Sequence, residues 1–76
     1  MFYKGRTTAP NNLTGVGLYG FGGLSLAGNS YGFIFNLDLS YSGASGSIIQ
    51  FLVGWDTQKI YIRRKVGGTW EEFTEI

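Results

Sequence analysis

The sequence predicts an all-β fold, a small antiparallel β-sandwich or barrel-like meander, on three observations. Glycine supplies 13 of the 76 residues without any regular period, and it accompanies two Trp, five Tyr, six Phe and a single proline. Runs of β-branched and aromatic residues are separated by glycine-containing turns, which is the pattern of short antiparallel strands. Helical periodicity is absent. A chain of this length forms at most one domain, residues 1–76.

The first part of the chain predicts a short strand, a turn and a glycine-rich segment. Residues 1–6 are an apolar and basic lead-in that can form a strand, and residues 7–12 cluster Thr, Pro and Asn as turns do. Residues 15–20 spell G-x-G-x-x-G, which dinucleotide-binding proteins place between a buried strand and a helix. Polar residues precede this motif and no helical pattern follows it. We therefore expect its glycines to form bulges and turns of β structure, or close contacts between chains.

Residues 31–41 carry the clearest strand signal. Positions 31, 33, 35, 37, 39 and 41 are Tyr, Phe, Phe, Leu, Leu and Tyr, and the positions between them are Gly, Ile, Asn, Asp and Ser. Strict alternation predicts a half-buried strand with one face in the core and the other solvated or paired. Asp38 falls on the more polar face, where a solvated edge charge is a simpler interpretation than a catalytic carboxylate.

A central strand is predicted next. Residues 42–47 are small and form a loop, and residues 48–53 are then apolar on both faces apart from Gln50. A buried Gln50 needs hydrogen-bond partners for its amide, most simply neighbouring backbone groups.

The C-terminal segment predicts a second strand and a covering tail. Residues 54–58 form a turn, and residues 59–66 alternate between a mainly aliphatic face and a basic face that carries an aromatic residue. Gly67-Gly68 makes the last turn. Three large apolar residues then recur every three positions, so we expect the tail to lie across the sheet as a lid. These residues are Trp70, Phe73 and Ile76.

Composition argues against several classes of function. The net charge is +1 and 14% of the residues are charged, whereas nucleic-acid binders carry a pronounced basic excess. Cysteine and histidine are absent, which removes disulfides, thiolate and histidine metal sites, and the usual bases and nucleophiles of enzymes. We predict no enzyme activity, no metal, no cofactor and no insertion into a membrane. A core this small needs other support, and oligomerisation remains as the candidate.

The turn at residues 54–58 is the candidate ligand site. Trp55, Asp56 and Gln58 combine an aromatic ring, which can stack on a sugar, with polar groups that can bind its hydroxyls. The candidate set also includes Tyr61 and Arg63 from the following strand. Trp55 has an alternative interpretation, since its ring can simply close the core.

The basic run at residues 63–65 has two interpretations. It can contact an anionic glycan or nucleic acid, but alternation sends Arg64 to the opposite face from its neighbours. Three glutamates lie just across the turn, at positions 71, 72 and 75, so solvated or cross-strand charge pairs explain the run more simply.

Residues 50–76 resemble the pyocin-knob type of domain, found at or near the C-termini of phage tail fibres, tail spikes and pyocin fibres. The resemblance rests on a pattern of Q, then (V/I)Y(V/I)R, a glycine turn and W-x-x-W-x-x-(I/V), with Phe73 in place of the second Trp. It covers a little over a third of the chain, and its parts are individually weak. The resemblance implies a structural role for the matching residues. These residues are Gln50, Tyr61, Arg63, Trp70, Phe73 and Ile76.

The resemblance implies a function in attachment. It makes the chain the C-terminal part of a longer fibre protein, commonly a homotrimer, in a virion or outside the cell. The implied role is non-enzymatic binding to a glycan or protein of the bacterial surface. Two alternatives stay open: a structural module that trimerises or caps the fibre, and a carbohydrate-binding domain of a secreted bacterial protein.

Overall fold

Seven strands form a single sheet in the computed structural model, which describes residues 2–43 and 46–76. The all-β prediction is confirmed. Two short 3-10 helices, Pro10–Asn12 and Leu39–Ser42, lie between strands. The strands are β1 (Tyr3–Thr7), β2 (Gly17–Leu26), β3 (Asn29–Asp38), β4 (Ile48–Gly54), β5 (Ile60–Val66), β6 (Thr69–Trp70) and β7 (Thr74–Glu75).

The sheet follows the chain in the order β1-β2-β3-β4-β5-β6, with β7 also paired to β5. Strands β2 to β5 form an antiparallel meander, as the glycine turns predicted. Strand β1 is the exception, because it pairs with β2 in the parallel sense at the sheet edge. Over the described residues the architecture is therefore one layer of strands, not two stacked sheets.

The G-x-G-x-x-G motif enters strand β2. Gly15 lies in a turn with a φ of 76°, whereas Gly17 and Gly20 are paired strand residues. No helix opens on the motif, so a phosphate-binding loop is excluded and the β interpretation is confirmed. The register of β2 against β3 shifts between Gly22 and Leu26, where Gly23 has a φ of 80°. The glycines thus act as a turn and a bulge.

One side of the sheet, the inner face, carries the hydrophobic core. Its cluster of buried residues is Leu13, Phe21, Ile34 and Leu52. Residues that pack against this cluster come from the β2–β3 hairpin, from β5 and from the tail; they are Tyr19, Leu24, Leu26, Tyr61 and Phe73. The hairpin end, the loop at Leu13 and the tail therefore cover the inner face.

The opposite side of β2 to β5 is also apolar, and we call its nine residues the outer apolar face. Pairing aligns Phe33 with Val53 and Phe35 with Phe51 across β3 and β4, on the side away from Ile34 and the core. The nine residues are Leu18, Phe33, Phe35, Leu37, Ile49, Phe51, Val53, Ile60 and Ile62.

Strand β3 buries the less apolar of its two faces and ends earlier than the prediction. Alternation is present, but the fully buried side chains are Ile34 and Asn36, while Tyr31 and Phe33 are 60% and 47% exposed. The inner face is thus the less apolar one, because it accommodates a buried hydrogen-bond network. The strand ends at Asp38 instead of Tyr41, since the Asp38 carboxylate accepts from the Ser40 backbone and starts a 3-10 helix.

The tail is anchored by two of its three large apolar residues. Trp70 is half-buried in β6, and Phe73 packs against the core cluster. Ile76 is 70% exposed, so its predicted anchoring role is wrong. Its backbone N–H donates to the Ile60 carbonyl at 2.9 Å, which aligns the tail along the edge of β5. Main-chain pairing, not a third apolar contact, holds the end of the tail.

The turns agree with the sequence where the structure describes them. Gly67 and Gly68 both have positive φ, 58° and 86°, as two-residue hairpin turns of the primed types require. The small-residue loop at 42–47 is only partly described, since residues 44 and 45 lie outside the described ranges.

Candidate functional site

The five predicted ligand-binding residues do not form one site. Tyr61 and Arg63 lie on the inner face, and Arg63 is 9% exposed. Trp55, Asp56 and Gln58 lie in the β4–β5 turn, where Trp55 is 73% exposed. Arg63 therefore lies apart from the turn residues, and Tyr61 contacts the turn through Thr57.

Arg63 is the centre of a buried hydrogen-bond network on the inner face. Its Nε donates to Gln50 Oε1 and one of its terminal nitrogens donates to Asn11 Oδ1, each at 2.8 Å. Gln50 in turn donates to the Pro10 carbonyl at 2.8 Å and to Asn36 Oδ1 at 2.9 Å. The expected backbone partner of Gln50 is therefore present, and a side chain adds to it.

Two aromatic rings of the tail enclose the Arg63 guanidinium. The guanidinium carbon lies 4.1 Å from the centroid of the Trp70 ring and 4.4 Å from that of Phe73. Trp70 Nε1 donates to the Asn11 carbonyl at 3.1 Å. Burial lowers the pKa of Arg63 to about 10, which leaves the group charged at neutral pH. This cation serves the fold, because it joins the central strands, the first 3-10 helix and the tail.

A second buried network holds the turn that carries Trp55. Asn29 is fully buried, and its amide donates to the Leu26 and Ala27 carbonyls. Its carbonyl oxygen accepts from the Thr57 backbone at 2.9 Å, and Tyr61 donates its hydroxyl proton to Thr57 Oγ1 at 2.9 Å. Tyr61 is therefore a positioning residue of the turn.

Asp56 and Gln58 also have local structural roles. Asp56 Oδ1 accepts from the Ser30 backbone at 3.0 Å, which ties the β4–β5 turn to the β2–β3 hairpin. Gln58 closes the turn with a φ of 57°, and its backbone N–H donates to the Gly54 carbonyl. Neither side chain lies beside the exposed ring of Trp55 in a common cavity.

Trp55 instead lines a groove with residues from the other end of the chain. The Trp55 backbone N–H donates to the Tyr31 carbonyl at 3.0 Å, so the two aromatic residues are held side by side. The cavity has a volume of about 580 Å³. We call it the aromatic groove, and the residues that form its walls are Tyr3, Arg6, Tyr31, Phe33, Val53 and Trp55.

Glycines form the floor of the aromatic groove. A Cβ at Gly20 would lie 3.1 Å from the Tyr3 hydroxyl, and a Cβ at Gly22 would lie 3.0 Å from the Tyr31 ring and 3.3 Å from the Arg6 guanidinium. Because Gly20 and Gly22 lack side chains, Tyr3, Tyr31 and Arg6 can lie directly over β2. Tyr3 also makes an edge contact with Phe33, at 6.3 Å between ring centroids, which stabilises the wall.

Arg6 is the charged group of the groove. Among residues 2–43 and 46–76, the ion pairs join Lys59 to Glu75 and Arg64 to Glu71, and Arg6 belongs to neither. Its guanidinium and the Tyr31 ring both lie close above Gly22. The groove therefore combines aromatic walls with one unpaired cation.

The carboxylates outside the groove have structural roles. Asp38 accepts from the Gly15 backbone and from the backbone and hydroxyl of Ser40, and these hydrogen bonds lower the pKa of Asp38. Arg64 donates to Glu71 at 2.8 Å, as the charge pattern around the last turn predicted.

The described part of the chain contains no cluster of three potential metal-ligating side chains. Within the same residues, no helix is long and apolar enough to cross a membrane.

Sequence reasoning missed Tyr3, Arg6 and Tyr31 as candidates. Alternation did not decide whether the face of Tyr31 is buried, and residues 1–6 carried no signal beyond a possible strand. What brings them together is register: Tyr31 pairs with Gly22, Phe33 pairs with Gly20, and β1 adds in parallel beside them. An aromatic residue paired with a glycine on the next strand can indicate a groove, but this pairing can be recognised only when the strand register is known.

Comparison with known proteins finds no matching family model, no matching curated protein and no matching solved structure.

Proposed function

We propose that the chain is a non-enzymatic attachment module that binds a saccharide of the bacterial surface in the aromatic groove. The observation that supports this most directly is the exposure of Trp55 and Tyr31, 73% and 60%, on a rigid support. Large rings held open to solvent by buried hydrogen bonds contribute little to the core. They are suited to stacking on the apolar face of a sugar ring.

The dimensions and polarity of the groove support a small ligand. Its volume lies within the range of about 300–1,000 Å³ typical of ligand cavities, which combine apolar walls with few polar groups. The Tyr3 hydroxyl and the Arg6 guanidinium supply such groups at one wall. A guanidinium without an acidic partner favours a saccharide that carries a carboxylate or another anionic group.

The proposed biological setting rests on the resemblance to pyocin-knob domains. In that setting the chain is the C-terminal knob of a phage-type tail fibre or tail spike, present as a homotrimer on a virion or outside the cell. Gln50, Arg63, Trp70 and Phe73 belong to one buried cluster, which agrees with the structural role that the resemblance gives them.

A glycan array probed with the labelled protein, followed by titration of any saccharide it binds, tests the proposal. Trp55→Ala is expected to weaken binding at least about tenfold, because truncation of a central aromatic contact costs more than about 1.4 kcal/mol. Arg6→Ala is expected to weaken binding of anionic saccharides more than that of neutral ones.

Ile76→Ala is the matched control for the titration. Ile76 is 70% exposed, close to the exposure of Trp55, and lies outside the groove. Both alanine variants should keep the thermal midpoint of the parent chain. An array without any bound glycan, or equal affinity for Trp55→Ala and the parent, would contradict the proposed site.

Two other functions make different predictions. A structural trimerisation or capping module would bind no glycan, and its deletion from the parent fibre would abolish fibre assembly instead of adsorption to cells. A carbohydrate-binding domain of a secreted bacterial protein would give the same result on the array. That domain would show no preference for whole cells of one bacterial host.

A further inference from the structure

A second cavity lies on the inner face of the sheet, where the end of the β2–β3 hairpin approaches the tail. Residues 25–27 of the hairpin line one side, residues 70–73 of the tail line the other, and Arg63 lies between them. We call this cavity the inner cleft. Its volume is about 490 Å³, within the range of about 300–1,000 Å³ typical of ligand cavities. It shares no lining residue with the aromatic groove.

Arg63 brings a donor without a protein partner to the inner cleft. The residue is 9% exposed, and its guanidinium carries N–H donors on three nitrogens in one plane. Nε and Nη2 donate to Gln50 and Asn11, whereas Nη1 donates to no side chain or carbonyl among residues 2–43 and 46–76. Every buried side-chain nitrogen of those residues has a partner. Nη1 therefore keeps access to solvent.

The covalent geometry of the guanidinium gives the direction of the free donor. Nη1 lies on the edge of the planar group opposite to the Nε–H, which points to Gln50 on β4. Arg63 also borders a smaller cavity, but that cavity extends to Ile62 and Arg64, whose side chains lie on the other side of the sheet. Since strand alternation sends the Arg63 side chain to the inner face, its free N–H groups open into the inner cleft.

Two carboxylates of the tail also line the inner cleft, and they differ in their partners. Glu71 accepts from Arg64 at 2.8 Å, so its charge is compensated at the surface. Glu72 is exposed and belongs to neither of the ion pairs that the described residues form. The inner cleft thus presents Arg63, which only donates hydrogen bonds, and Glu72, which only accepts them. Their charges cancel.

We propose that the inner cleft is a second ligand site, which binds a neutral saccharide through adjacent hydroxyl groups. A hydroxyl both accepts and donates, so one hydroxyl can accept from Nη1 of Arg63 while its neighbour donates to Glu72. An anionic ligand would place a further negative charge beside the two glutamates, whereas a neutral one satisfies both groups and adds no charge. Trp70 and Phe73 supply apolar surface for the C–H groups of the sugar ring.

This inference goes beyond the proposed function and does not depend on it. The aromatic groove carries Arg6 without an acidic partner and favours an anionic saccharide, whereas the inner cleft carries balanced charges and favours a neutral one. A chain with both sites can hold two saccharides at once. Two linked sites raise the avidity for a surface that carries many copies of a glycan.

The two tryptophans of the chain report on the two sites separately, since Trp55 lines the aromatic groove and Trp70 lines the inner cleft. The isotope-labelled chain is titrated with glucose, galactose and N-acetylglucosamine up to tens of millimolar, and the indole N–H signals are followed by heteronuclear NMR. We expect a saturable shift of the Trp70 signal with at least one of these sugars. The same shift should persist in Trp55→Ala, and a Trp55 signal that never responds to any saccharide would contradict the groove but not the cleft.

Two variants of the cleft leave the Arg63 network intact. Glu72→Gln keeps the size of the side chain but removes its charge, and should weaken binding about tenfold, as the loss of a hydrogen bond to a charged group implies. Ser25→Tyr places a ring at the hairpin side of the cleft and should abolish the saturable shift of Trp70.

Glu75→Gln and Ser30→Tyr are the matched controls. Glu75 is an exposed glutamate of the same tail, and Ser30 is an exposed serine of the same hairpin, but neither lines the inner cleft. Both variants should bind the sugar as tightly as the parent chain. If Ser25→Tyr does not fold, Glu72→Gln with its control decides the question, because Glu72 is exposed and makes no ion pair with a described residue.

Three results would overturn the proposal. The first is a Trp70 signal that responds to none of the three sugars. The second is an affinity that is unchanged in Glu72→Gln. The third is an equal shift of Trp70 with acetate or with free glycine, which would show that the cleft takes a carboxylate or a small zwitterion instead of a saccharide.

Discussion

At the scale of single residues, the inner layer is organised around a buried cation. Arg63 reaches Asn11, 52 positions earlier in the chain, and lies between the rings of Trp70 and Phe73. Burial of a charge is costly unless hydrogen bonds and aromatic faces compensate for the lost hydration. Every buried side-chain polar atom of the described residues has a hydrogen-bond partner. The network is therefore complete, and it connects the chain ends to the centre of the sheet.

Replacement of Arg63 by methionine should destabilise the protein strongly. Arg63→Met leaves the buried Oε1 of Gln50 and the part-buried Oδ1 of Asn11 without their donor, and an orphaned buried acceptor costs about 1–3 kcal/mol. We expect the free energy of unfolding, measured by urea denaturation at fixed protein concentration, to fall by about 2–4 kcal/mol.

Arg64→Met provides the control at the neighbouring position. Arg64 is exposed and pairs with Glu71 at the surface, where such pairs contribute about 0–1 kcal/mol. Equal losses in the two variants would show that Arg63 is not the structural centre inferred here.

At the scale of elements, the two longest strand predictions were right about alternation but did not say which face of each strand is buried. In β3 and β5 the more apolar side faces outward, and the side with Asn36, Tyr61 and Arg63 faces inward. Period-two alternation identifies which residues share a face. It does not identify the covered face, because that depends on segments far away in the sequence. Here the hairpin end and the tail cover the more polar side.

Close packing at one glycine fixes the inner surface of β3. A Cβ at Gly32 would clash with the Val53 carbonyl oxygen and would lie 2.9 Å from the Phe21 ring. Backbone atoms of a central strand cannot move aside, so Gly32→Ala should lower the free energy of unfolding by about 1–3 kcal/mol. Denaturant titration of the purified variant measures this loss.

Gly20→Ala is the matched substitution on the opposite side of the same sheet. Its Cβ would meet the hydroxyl end of the Tyr3 side chain at 3.1 Å, and that side chain can move. We expect a change in stability within about 0.5 kcal/mol, since alanine also restricts the unfolded chain. A Gly32→Ala variant as stable as Gly20→Ala would refute the packing argument.

At the scale of the whole molecule, one sheet of seven strands carries apolar side chains on both sides. Among the residues that the structure describes, five hydrophobic ones are fully or nearly buried, which is a small core for an independent domain. Much of the apolar surface lies instead on the outer apolar face. Stability of the folded chain should therefore depend on association.

Coupled folding and association make the thermal midpoint depend on concentration. For an obligate trimer, a tenfold increase in concentration adds about 2.7 kcal/mol per trimer, which corresponds to an increase of roughly 5–6 °C in the midpoint. Differential scanning calorimetry over a hundredfold range of concentration measures the change. A parent chain with a constant midpoint would contradict coupling.

The candidate site belongs to the same scale, since strands β1 to β4 each contribute to it. The sequence placed Trp55 in a turn correctly but left open whether its ring is exposed or closes the core, and the partners of Trp55 could not be predicted. Tyr3 and Arg6 reach the groove through parallel pairing of β1 with β2, and Tyr31 reaches it through the β2–β3 register. Register is decided by the cooperative fit of whole strands and has no local sequence signal at these residues.

By itself, the sequence determined the all-β class, the main strands and turns, and the burial of Gln50. Those features follow from local periodicity, glycine placement and the polarity of one residue in an apolar run. Only the tertiary structure decided which face is covered, that Arg63 is buried, and that Trp55 meets Tyr31 and Arg6. These features depend on contacts between residues distant in sequence, whose energies are set by packing and desolvation. Local pattern therefore defines the strands of this protein, and their assembly defines its surfaces.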